Sequence, residues 1–176
     1  MESTQEKIQI NRLTEQYSPA AVDDGLYTFV DPSEDPYSGV GVVLRVTSDE
    51  EYVYYKSSTG FLVNGNTLIT SLHSIYDIDD NDQFIISNTM ELRVYFGVDE
   101  TLTPYQLYTS NHPYSTVSRW MFSNAVNTET ENDNPYDWAA IKLNTSKTGL
   151  FFFNCKTIDS SYEGTPSLTI GYPEEY

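Results

Sequence analysis

His73 and Asp137 are the residues of this chain best suited to chemistry. His73 is one of only two histidines. An imidazole titrates near neutral pH, so it can take a proton from a reacting group and hand it back. His73 closes the run Ser58-Thr59-Gly60-Phe61-Leu62-Val63-Asn64-Gly65-Asn66-Thr67-Leu68-Ile69-Thr70-Ser71-Leu72-His73. That run reads as strand, tight turn, strand, and then a His on a short helical turn. Asp137 stands at the head of Trp138-Ala139-Ala140-Ile141-Lys142-Leu143, a strong strand pattern. A carboxylate at a strand start can accept a bond from the Nδ1–H of a histidine. The bond would fix the tautomer and stabilise the imidazolium that forms on proton uptake. The alternative readings are a surface histidine and a strand-capping acid.

The other polar features carry less. His112, in Asn111-His112-Pro113, reads as an ordinary loop residue. Cys155 is the only cysteine, so no intrachain disulfide can form. A lone cysteine is more often a small buried hydrophobe than a nucleophile. Asp77-Ile78-Asp79-Asp80-Asn81-Asp82 begins like a calcium loop, but Gly is missing at its sixth place and Glu at its twelfth, which is Asn88. A solvated acidic loop is the preferred reading, so no cofactor is expected, with Ca²⁺ as the one alternative. No Cys/His cluster has metal-ligand spacing. Phe151-Phe152-Phe153 reads as packing rather than as a binding platform.

Strands must position the two candidate residues. Short apolar or alternating runs follow one another: Val40–Val46, Glu51–Ser57, Thr59–Val63, Thr67–Thr70, Gln83–Ser87, Glu91–Gly97, Val117–Phe122, Trp138–Leu143 and Ser167–Tyr172. Asn64-Gly65-Asn66 is a turn that tolerates positive φ, as a tight hairpin needs. Only residues 4–16 suggest a helix. Val, Ile, Tyr, Phe and Thr fill the runs, and fifteen tyrosines raise the aromatic share to 14%. Branched and ring side chains pack well on a half-buried pleated face. The fold class is therefore all-β, a barrel or sandwich.

With Asp137 placed, a family resemblance becomes specific. The chain resembles bacterial glutamyl endopeptidases, serine proteases of the chymotrypsin-like class. Thr59–Val63 through Thr70-Ser71-Leu72-His73-Ser74-Ile75-Tyr76-Asp77 resembles that family's first motif, and Pro135–Leu143 its second. Thr169-Ile170-Gly171-Tyr172-Pro173 is similar to the opening of its second barrel. The resemblance implies a trypsin-like six-stranded barrel over 25–150, an N-terminal arm or pro-segment remnant over 1–24, and a linker with the first strand of a second barrel over 151–176. It implies a secreted serine endopeptidase cleaving after Glu or Asp, with His73 as base and Asp137 as its orienter. Leu72 departs from the small residue usual before the histidine. No serine lies in Gly-x-Ser-Gly, so the expected nucleophile is absent and the chain alone would be inactive. The alternative is a non-catalytic fragment or β-barrel module that binds a partner.

Charge bounds the partners. The net charge is −17, from 26 acids against 9 bases. Such a field repels phosphate backbones and anionic lipid, which disfavours nucleic acid and membrane surfaces and leaves a polypeptide as the expected substrate.

Overall fold

The computed structural model describes residues 6–9, 31–78, 84–85, 90–98, 102–122 and 137–155. Nine strands and one short helix lie among them: β1 (Glu6–Gln9), β2 (Val40–Ser48), β3 (Tyr52–Asn64), β4 (Thr67–Thr70), β5 (Asp77–Ile78), β6 (Phe84–Ile85), β7 (Glu91–Phe96), α1 (Pro104–Thr109), β8 (Tyr114–Phe122) and β9 (Ala139–Leu143). Six of these strands close an antiparallel barrel in the order β3-β2-β7-β8-β9-β4, with β4 pairing back to β3. The all-β barrel is thus the observed fold. Ser167–Tyr172 and the proposed second-barrel start lie outside the described residues.

β3 makes closure possible by its length. One edge pairs with β2 from Val53 to Phe61, while the other pairs with β1 at Tyr52–Tyr55 and with β4 at Gly60–Asn64. The two shorter strands expected here are one strand, because β2 supplies partners for Ser57 and Ser58 across the intended break. Residues 6–9 form a strand, so the helix considered over 4–16 is not formed there.

The barrel interior is filled by alternate residues. Val43, Leu62, Leu68, Val94, Ile141 and Leu143 pack there, joined from the turn after β4 by Leu72 and Ile75. A second cluster lies outside the barrel wall, where Val42, Leu44, Val46, Tyr55 and Tyr95 meet Leu107 of α1. β2 is therefore buried on both faces, which explains why its apolar run lacks alternation. α1 is begun by a capping box: Thr103 Oγ1 accepts from the Gln106 N–H at 3.2 Å, and Gln106 Oε1 accepts from the Thr103 N–H at 2.9 Å. Arg93 ties α1 to the wall. Its guanidinium lies 4.0 Å from the Tyr108 ring centre and 4.4 Å from that of Tyr114, and Glu91 accepts from its Nε at 2.6 Å.

The β2–β3 turn is organised by Asp49. Its Oδ1 accepts from the N–H groups of Glu51 and Tyr52, and its Oδ2 accepts from the Tyr54 hydroxyl at 2.6 Å. That bond holds the phenol in its neutral form and pushes its pKa up to about 12. Because the folded value lies above the usual value near 10, the bond stabilises the turn below about pH 10 and is lost as pH rises through about 12. Replacing Asp49 with Asn should return Tyr54 toward its ordinary value. A ¹³C-tyrosine NMR titration checks this, and an unmoved midpoint would refute the assignment.

Candidate active site

The register of the barrel brings the two candidate residues together. β4 pairs antiparallel with β9 so that Thr70 faces Ala139. Continuing that register two residues past each strand end sets residue 72 across from residue 137. A slip of one residue would turn every side chain of β9 to the wrong face, so the buried Ala139, Ile141 and Leu143 also fix where Asp137 falls.

A short 3-10 turn, Leu72–Ser74, then aims the histidine. With three residues per turn, positions 72 and 75 share a side. Both Leu72 and Ile75 are buried in the core, which leaves His73 facing out. Thr70 Oγ1 donates to the Thr59 carbonyl at 2.7 Å and secures the strand end. Lys56 Nζ donates to the His73 carbonyl at 3.3 Å.

His73 Nδ1 lies 2.6 Å from Asp137 Oδ2, and the His73 backbone N–H donates to Oδ1 at 3.0 Å. Both carboxylate oxygens are spent on one residue, so ring and backbone are held as a unit. A carboxylate at Nδ1 requires the proton there, which leaves Nε2 with its lone pair. The His73 side chain is 56% exposed and that of Asp137 27%. Nε2 therefore offers a proton-accepting atom at an accessible face, backed by a partly shielded anion.

Ser71, a residue with no assigned role in the sequence, also reaches this group. Its Oγ is 3.3 Å from Nε2 and makes a short hydrogen bond with Ser74 Oγ. The signal for it was its place two residues before His73 at a strand end. Nearby, Trp120 Nε1 donates to the Tyr76 hydroxyl at 3.3 Å, and the Tyr76 and Phe122 rings meet edge to face. His112 sits exposed in the loop before β8, as expected. Residues 79–82 of the acidic stretch lie outside the described residues. Phe151 and Phe153 are half-buried, and Phe153 packs edge to face on Phe61.

No family model matches the chain. Over 118 residues, 65% of its length, the chain is 32% identical to a protein of Bacillus subtilis (strain 168) named extracellular metalloprotease, and it spans about a third of that relative's length, 33%. This corrects the expectation of a trypsin-like, glutamyl-type serine endopeptidase: the relative is named a metallo- rather than a serine protease. The physical reason is that the matching motifs encode barrel register and a His–Asp pair. Neither specifies what attacks the substrate.

The relative's name raises the question of a metal. Among the described residues no group of three or more His, Cys, Asp or Glu side chains could hold one. Nδ1 of His73 already faces Asp137, so the pair offers a single nitrogen. These residues do not fit a metal centre by themselves.

Proposed function

We propose that the chain is part of an exported peptidase in which His73 moves protons at the peptide bond under attack. Asp137 holds the imidazole in the tautomer that makes Nε2 the accepting nitrogen. Nε2 takes the proton of the attacking group and then returns it to the departing amine, while Asp137 stabilises the intervening imidazolium. The observation that carries this reading is the grip of both Asp137 oxygens on His73, at 2.6 and 3.0 Å. The name of the relative, a protease and extracellular, supports both the reaction and export. No helix among the described residues is long and apolar enough to cross a membrane. The substrate is a polypeptide, since a net charge of −17 disfavours polyanions.

The test is hydrolysis of fluorescein-labelled casein by the intact protein, with new peptide termini read by mass spectrometry. Internal cleavage supports the reading. Failure to cleave casein or a panel of unfolded proteins would overturn it in favour of a binding role.

A further inference from the structure

A second surface lies on the outside of the barrel, on the outer face of β8 and β9. β8 pairs with β9 through a register shift between Val117 and Arg119. Val117 faces Leu143, so an unbroken register would set Ser118 across from Lys142. Instead Arg119 faces Lys142, and Ser118 Oγ donates to the Lys142 carbonyl at 3.0 Å. The bulge thus turns Arg119 outward, toward the face that bears Lys142. Bulges commonly re-aim a side chain in this way.

The result is a pair of cations on directly opposed strand positions, an arrangement that disfavours the sheet. Lys142 Nζ donates to Asn66 Oδ1 at 2.5 Å. Among the described residues neither cation sits in an ion pair, although the chain carries 26 acids. The next outward positions are apolar. Met121 is 60% exposed and Trp138 42%, with the small Ala140 opposite Met121 and Ile69 beyond it on β4. Contiguous exposed apolar side chains rimmed by polar groups are a common feature of binding surfaces.

We propose that this outer face of β8 and β9 docks an acidic polypeptide segment with interspersed apolar side chains. A carboxylate of the segment bridges Arg119 and Lys142 and relieves their repulsion. The Arg fork takes such a carboxylate through two parallel bonds. An apolar side chain of the segment settles over Ala140, between Met121 and Trp138. Charge complementarity selects this occupant: two of the nine bases of a chain at −17 face each other here. At physiological salt, exposed charges more than about 8 Å away are largely screened, so these two cations rather than the net charge decide what docks here.

The experiment is an NMR titration of the ¹⁵N-labelled protein with a capped synthetic peptide alternating Glu with Leu and Phe. A matched peptide carrying Gln for Glu serves as control. Saturable shifts confined to 119–121 and 138–142 are expected, with binding weakened at least about tenfold by R119E, by K142E and by the Gln peptide. His73→Ala should leave this binding unchanged, which separates the proposal from the peptidase reading. The absence of saturable shifts up to about 1 mM would overturn it, as would equal binding of the Gln peptide or shifts centred on His73. Retained chemical-shift dispersion in R119E and K142E shows that they fold.

Discussion

Casein hydrolysis by the intact protein should fall by roughly 10²- to 10⁴-fold when His73 is replaced by Ala, the range a positioned acid–base group contributes. The side chain is largely exposed and its neighbours Leu72 and Ile75 hold the turn without it. The loss should therefore appear in kcat with little change in thermal midpoint. Asp137→Asn should cost activity on a similar scale for a different reason. An amide can still accept from the His73 N–H in place of Oδ1, so the turn survives. Across from Nδ1, however, it carries no charge to stabilise the imidazolium. If its NH₂ faces Nδ1, it favours the tautomer with the proton on Nε2 and blocks the accepting atom. Asp137→Ala adds a structural cost, because it also leaves that backbone N–H unsatisfied. The ordering is therefore specific: Asn loses activity but keeps stability, and Ala loses both. Near-wild-type turnover in His73→Ala would end the assignment of His73 as the proton carrier. Equal loss of stability in Asn and Ala would show that Asp137 acts through the fold alone.

The strand positions were legible because side-chain periodicity is a local signal. Thr67–Thr70 and Glu91–Phe96 stand where alternation placed them, and Asn64-Gly65-Asn66 makes the turn that leads into β4. The family resemblance matched His73 to Asp137, and in the barrel their Nδ1 and Oδ2 lie 2.6 Å apart. Other features were settled by tertiary partners. Ser57 and Ser58 look like a break, but Leu44 and Val43 of β2 pair with them and carry β3 through. The burial of β2 on both faces depends on α1, a helix of six residues too short to show an apolar period. Its start was nevertheless written in the chain, since Thr103-Pro104-Tyr105-Gln106 is a capping box with Pro at the first helical position. The chemical class of the attack was not legible at all. A His–Asp pair at two strand ends serves any group whose proton must move, and the serine-type inference attached to it came from resemblance rather than from the pair.

The centre of the barrel makes the largest prediction for stability. Leu68 is fully buried and inward-facing on β4, and Gly60 lies on β3 where β4 crosses it. A methyl on Gly60 would collide with Leu68 Cδ2, and would lie 2.9 Å from Leu68 Cγ and 3.0 Å from Val43 Cγ2. The glycine is thus required by the leucine, because Leu68 fills the volume a side chain at position 60 would need. Leu68→Ala should destabilise the fold by about 2–5 kcal/mol, the transfer cost plus that of the cavity left behind. Gly60→Ala should cost about 1–3 kcal/mol through overpacking, less the few tenths gained by restricting the unfolded chain. The two changes touch the same space, so the double variant should not sum them. The new methyl enters the volume that Leu68 vacates, and the coupling should recover about 0.5–3 kcal/mol. Urea unfolding of the four proteins, followed by tryptophan fluorescence, gives the cycle directly. Simple additivity would mean that the strands separate to admit the methyl. In that case the crossing of β3 and β4, which delivers His73 to Asp137, would be looser than the contacts of Gly60 and Leu68 imply.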